Sequence, residues 1–219
     1  MLAVPSILFT ERAKVWIAAI FLVVVPVFFQ APLVRALPWL SLALTGGWLL
    51  MGISLSSRTA TRLWGDLLTG FTWTWLAGSL YWGWLRTEPM WHLPVETLGL
   101  PLAVFLLSRG RGRVGSYFFL GSLFGTAVTD LYIYWTHLLP MWRQVMVVEP
   151  EWIPVVLQEA ANSLQNLVSV SRGMVVALGL LIVGILPLQS KQACWWAFSG
   201  AVLSTLIVDL LFLGSAFCL

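Results

Sequence analysis

Long apolar runs, broken at short intervals by Arg, Lys, Pro or Gly, dominate the chain. They cover residues 15–30, 37–55, 67–85, 95–107, 114–135, 174–188 and 195–217. Most approach the roughly 20 residues that a helix needs to cross a bilayer core. Basic residues, Pro and Gly at the edges are the expected ends of such helices. Pro26 is expected to kink the end of the first run, and Pro101 lies inside the short fourth one. Residues 152–171 break the pattern. Ile153, Leu157, Ala160, Leu164 and Leu167 recur at helical spacing, with Gln158, Asn162, Gln165 and Ser169 opposite. That alternation predicts an amphipathic helix on the membrane surface; a polar spanning helix facing a bundle interior is the other reading. The pattern as a whole predicts an all-α, polytopic membrane bundle of six or seven spans plus one amphipathic helix. It forms a single transmembrane domain over residues 1–219.

Composition excludes a soluble reading. Of 219 residues, 59% are hydrophobic and only 10% charged, against about a quarter charged in a soluble domain. Twelve Lys and Arg with nine Asp and Glu cannot cover the surface of a water-soluble fold of this size. The net charge of +3 comes from basic residues set singly or in short groups between apolar runs. That arrangement encodes membrane topology rather than nucleic-acid binding. With the N-terminus inside, Arg12, Lys14, Arg58, Arg62, Arg109, Arg111, Arg113 and Lys191 fall on the inner side. Arg35, Arg86, Arg143 and Arg172 fall on the outer side. Eight against four favours a cytoplasmic N-terminus and leaves the side of the C-terminus open. The first residues have too short an apolar stretch for a signal peptide, so the first span is expected to stay on the chain. Cys194 and Cys218 flank the last run and are expected on opposite sides of the membrane, too far apart for a disulfide. Most of the fourteen Trp lie near span ends, where an indole prefers the headgroup region. Pigment or quinone packing is the alternative use for them.

Two aspartates interrupt apolar runs. Asp130 lies in the fifth run and Asp209 in the seventh. A carboxylate at bilayer depth costs at least ~2.5–3.5 kcal/mol on insertion scales, so each needs a partner, a proton or water. Both sit in the pattern G-x-x-x-[GS]-T-x-x-x-D-L: Gly121, Gly125, Thr126 and Asp130 in one case, Gly200, Ser204, Thr205 and Asp209 in the other. Thr and Asp four apart share a helix face, and small residues four apart allow close helix approach. The two helices are therefore expected to pack together with their aspartates at similar depth, unless the match is chance. Glu96, His92, His137 and Arg172 are expected near the same membrane face, with Arg172 as the natural counter-charge for an aspartate. Such a cluster binds a cation, carries protons or ligates a pigment magnesium; alternatively its carboxylates only fix helix register. The third run carries Gly70, Thr74 and Gly78 at spacing four, a small-residue packing face. No hydrolase, zinc or phosphate-loop motif is present, which points to a non-catalytic protein and to no protein-held metal.

The stretch GSYFFLGSLFGTAVTDLYIYWTHLLPMWRQVMVVEP at residues 115–150, with LGLP at residues 98–101, resembles a cyanobacterial membrane family described as domain of unknown function 3120. The resemblance extends over most of the chain and is sharpest around residues 121–149. It carries no agreed activity. It implies an oxygenic phototroph, hence a thylakoid or cytoplasmic membrane, with photosynthetic complexes as natural partners and chlorophyll or carotenoid as possible ligands.

Two functions are then expected. The first is an accessory protein docking through small-residue faces on a photosynthetic complex, with photosystem II subunits or assembly factors as partners. The second is a small-molecule or ion transporter, or a substrate-binding membrane subunit, using Asp130 and Asp209. Size alone matches the substrate-binding subunits of energy-coupling-factor transporters. Their Ala-x-x-x-Ala docking pattern is missing from the first run, where Ala18 and Ala19 stand without an alanine four residues on.

Overall fold

The computed structural model describes residues 10–218, and side chains for residues 10–214; the signal-peptide reading falls largely outside them. Helices account for nearly all of it. They are α1 (Glu11–Ala36), α2 (Pro38–Ser56), α3 (Arg62–Leu80), α4 (His92–Glu96), α5 (Leu100–Ser108), α6 (Arg113–Trp135), α7 (Leu139–Val147), α8 (Ile153–Ser163), α9 (Leu167–Ile185) and α10 (Ala193–Cys218). No strand occurs among the described residues. Five segments are long and apolar enough to cross a membrane: Glu11–Ala36, Pro38–Ser56, Pro89–Ser108, Leu167–Gln189 and Ala193–Gly214. Their outward residues are large and apolar, such as Leu50, Ile53, Val104, Met174 and Leu178. A face of this kind is stable in contact with lipid.

The contacts fix the direction of each helix. Arg12 at the start of α1 donates to the Ser190 carbonyl just before α10, at 3.1 Å. Farther along, Phe28 stacks on Phe212, so α1 and α10 run parallel. Gly121 and Gly125 of α6 meet Phe198 and Thr205 in turn, so α6 and α10 are parallel as well. Ser41 at the start of α2 meets Ser79 at the end of α3, which makes that pair antiparallel. The first end of the bundle thus carries the starts of α1, α3, α6 and α10. The second end carries α7, α8 and the C-terminal end of α6.

Helices α3, α6 and α10 form the centre, and α1 and α2 close one side. Leu67, Phe71, Phe118, Ala197 and Ala201 are buried between them. Backbones approach closely wherever a small residue stands at the crossing. A Cβ at Gly70 would lie 2.6 Å from the Gly115 Cα, and one at Gly121 would lie 2.6 Å from the Phe198 carbonyl oxygen. Gly125 receives the Thr205 side chain, and Gly78 receives the Gln30 amide. The expected packing of the two Asp-bearing helices is therefore present, and it is among the most extensive helix contacts of the described residues. The two motifs are not equivalent in use, however. Gly200 faces Trp16 and Ala19 of α1 rather than α6, and the buried Ser204 hydroxyl donates to the Ala201 carbonyl at 2.7 Å.

Buried polar bonds tie α1, α2 and α3 together. The Gln30 amide donates to the Trp75 carbonyl at 2.6 Å and to the Ser79 hydroxyl at 3.0 Å. Trp75 donates its indole N–H to the Ser41 carbonyl at 2.9 Å. With little hydrophobic drive between helices in lipid, such bonds and close backbone packing hold a bundle together.

Several boundaries differ from the sequence pattern. The first helix runs through Pro26 and Pro32 to Ala36; neighbouring helices can re-satisfy backbone groups that a proline frees. The fourth apolar run is a broken path of α4, a 3₁₀ turn at Thr97–Gly99 and α5, with Pro94 and Pro101 near the starts of the two helices. Residues 152–171 do not form one amphipathic helix. Helix α8 stops at Ser163, and the Asn166 side chain accepts from the Ser169 N–H at 2.9 Å, starting α9 at Leu167. Short polar side chains at residues 162–166 bond the local backbone and so compete with helix continuation. The amphipathic character survives in α8, which buries Val156 and Ala161 and exposes Gln158, Glu159 and Asn162.

Candidate functional site

At the second end, α3 leaves its regular winding and continues as a wider π-helical turn over Tyr81–Leu85. Such turns often mark functional sites. This one presents the fully buried Tyr81 ring to His92, the first residue of α4, with centroids 4.4 Å apart. The His92 Nδ1 lies 2.9 Å from Asp130 Oδ1 on α6. Its Nε2 faces Glu96 Oε1 one helical turn on, at 4.0 Å. One imidazole therefore sits between two carboxyl groups, each on a different helix. Next along α6, the Thr129 hydroxyl donates to Asp209 Oδ2 on α10 at 3.0 Å. Thr129 and Asp130 are neighbours on α6, which sets the Asp209 and His92 contacts side by side.

Helix α7 lies over this group. The Trp142 ring is 6.4 Å from the His92 ring and 5.9 Å from Trp82. Its indole N–H donates to the Arg86 carbonyl at 3.0 Å. Beside it, Arg143 forms a two-pronged contact with Glu88, at 2.9 and 3.2 Å. The Arg143 guanidinium holds the Glu88 carboxyl below its usual titration range.

Of the residues expected at this site, Glu96, Asp130 and Asp209 come together with His92. Arg172 does not. It donates to the Trp135 carbonyl at 2.5 Å and lies over the Trp135 ring at 5.8 Å, so it closes the C-terminal end of α6 and leaves the aspartates without it. The polar end of a helix needs donors for its last carbonyls, and this competes for the guanidinium. His137 is also outside the group. It adopts φ 60° just past α6, and the Leu138 N–H reaches back to the Ile133 carbonyl at 3.0 Å. That is the left-handed turn that commonly ends a helix, with His in the place usually taken by Gly. Thr126 and Thr205 hold neither aspartate; Thr129 does so for Asp209. Among the described residues, no three His, Cys, Asp or Glu side chains are arranged to hold a metal ion.

A family model described as "Protein of unknown function (DUF3120)" matches residues 19–217. The chain belongs to this family. All of the DUF3120 residues just described at the second end lie within that match. No curated protein and no solved structure matches the chain.

Tyr81 and Thr129 carry no role in the sequence pattern, and Trp142 enters it only as one of the interfacial Trp residues. Tyr81 lies inside the apolar run over residues 67–85, and Trp142 resembles any interfacial Trp. The Thr129–Asp209 pairing depends on a rotation between two helices that spacing within one helix does not reveal.

Proposed function

We propose that this DUF3120 protein crosses the membrane seven times, with its N-terminus on the cytoplasmic side. On this reading it is a non-catalytic carrier or substrate-binding membrane subunit for a small molecule or ion, operating through protons held at the His92 centre. The observation that carries the reading is the charge inventory at that centre. Two carboxyl groups, Asp130 and Glu96, face one potential cation, His92; a third, Asp209, is held by the neighbouring Thr129, and no Lys or Arg pairs with any of the three among the described residues. At bilayer depth an uncompensated charge is expensive. Neutrality with His92 cationic requires two of the three carboxyl groups to hold protons. A group that must hold protons to remain buried is coupled to any solute that replaces or displaces them.

The test is replacement of the native gene by the Asp130→Asn form, with protein level verified. Loss of a proton-dependent uptake, equal to that of a deletion, supports the reading. Wild-type behaviour at wild-type level would leave Asp130 a register-fixing residue only.

The second reading is docking on a photosynthetic complex such as photosystem II in a thylakoid membrane. The faces around Gly70, Gly78, Gly121 and Gly125 do not support it, because they are occupied within the chain. One observation favours it: Gly46 and Gly47 on α2 have nothing within 4 Å of where a Cβ would stand, leaving a small-residue patch for another helix. Bulky substitutions there, with recovery of partners in a gentle native pull-down, discriminate the two readings.

A further inference from the structure

A groove separate from the His92 group opens at the second end. It is lined by Tyr134, Trp135 and His137 from the end of α6 and the turn after it, Leu139, Pro140 and Arg143 from α7, and Arg172 from α9, and encloses about 360 Å³. That volume falls in the range of ligand-sized pockets. Three of the seven lining residues are basic types and none is acidic.

The donors are not all spent. Arg172 uses one guanidinium nitrogen on the Trp135 carbonyl, and Arg143 uses two on Glu88. A guanidinium has five N–H donors in a fixed fork, which suits a phosphate or sulfate oxygen pair. The α6 C-terminus would disfavour an anion through its free carbonyls, but Arg172 already answers the nearest one. Tyr134 and Trp135 are 61% and 43% exposed and form an aromatic rim. Leu139 and Pro140 supply an apolar wall. An anion on an apolar stem matches this combination of charge, rim and wall.

We propose that this groove binds the anionic headgroup of a membrane lipid, of the phosphate or sulfate class, with Arg172 as the principal contact and Arg143 and His137 completing the basic lining. The inference does not depend on the carrier reading.

The test uses the full chain in neutral detergent. The thermal unfolding midpoint is read with added dioleoylphosphatidylglycerol, dioleoylphosphatidylcholine or inorganic phosphate. The anionic lipid is expected to raise the midpoint by several degrees, and the zwitterionic lipid is not. Arg172→Gln should lose the rise. Because Arg172 also closes α6, two further variants guard against a folding artefact. His137→Gly suits the left-handed turn and should fold at least as well. Leu139→Trp fills the groove without removing any charge. Both should reduce the lipid-induced rise without lowering the lipid-free midpoint below that of wild type. A rise with inorganic phosphate alone, lost in the same variants, supports the anion site and makes the source a soluble anion. An equal rise in wild type and all three variants, an equal rise with both lipids, or no rise with any anion overturns the proposal.

Discussion

Substituting Gly70 by Ala tests the packing on which the bundle rests. A Cβ there would stand 2.6 Å from both Cα and the carbonyl carbon of Gly115, and closer still to the carbonyl oxygen. Ordinary carbon contacts lie at about 3.5–4.0 Å, so α3 and α6 would have to separate by roughly an ångström. Every atom in the way is backbone, and no side-chain rotation relieves the overlap. Overpacking in a well-filled interior typically costs about 1–3 kcal/mol, and a backbone clash belongs at the upper end. A loss of about 3 kcal/mol raises the unfolded fraction roughly a hundredfold. The assay is titration with denaturing detergent in mixed micelles, followed by Trp fluorescence and far-ultraviolet circular dichroism. Gly46→Ala is the control, because nothing lies within 4 Å of its Cβ position. Removing a mid-helix glycine there should be neutral or stabilising by up to about 1 kcal/mol. The packing account is refuted if Gly70→Ala stays within about 0.5 kcal/mol of wild type, or if Gly46→Ala is equally damaging.

Three further outcomes are expected. His137→Gly should stabilise the chain by about 1 kcal/mol in the same titration, by removing a left-handed non-glycine residue; a clear loss would contradict the helix-end geometry. Thr129→Val should cost about 1–3 kcal/mol, because it takes away the hydrogen bond to Asp209. Thr129→Ser should restore it, and equal stability of the two variants would show that the bond contributes nothing. The Glu88–Arg143 contact should fasten α7 at neutral pH. Since the folded Glu88 titrates below its ordinary range, this contribution is present above that range and is lost as pH falls through the lowered value. Amide-exchange protection over residues 139–147, taken relative to the intrinsic rate at each pH, should fall on acidification in wild type and already be low in Glu88→Gln, while a pH-independent protection in wild type would count against it.

The long helices were legible because lipid contact demands continuous apolar composition, and α2 and α10 match their runs within a few residues. The packing of α6 on α10 was legible too, because small residues four apart leave a visible mark. Polar bonds between helices left none. Gln30 reads as the end of a span, yet it reaches Trp75 and Ser79 across a gap that Gly78 provides. Charge and topology together point Arg172 at an aspartate, but its guanidinium is taken by the carbonyl end of α6. The grouping of Glu96, His92, Asp130 and Asp209 at one end followed from topology. Which atoms meet there depended on the π turn and on helix rotation, neither of which the periodicity encodes.

The most direct test of the carrier account is solute-driven proton movement in proteoliposomes. The purified chain is reconstituted with a trapped pH-sensitive dye and challenged with fractionated pools of small solutes and ions. Wild-type protein should move protons in response to at least one fraction, and Asp130→Asn, reconstituted in equal amount and equally stable, should not. Proton movement that persists unchanged in Asp130→Asn, or a wild-type protein that answers no fraction while binding a helical partner through Gly46 and Gly47, would contradict it.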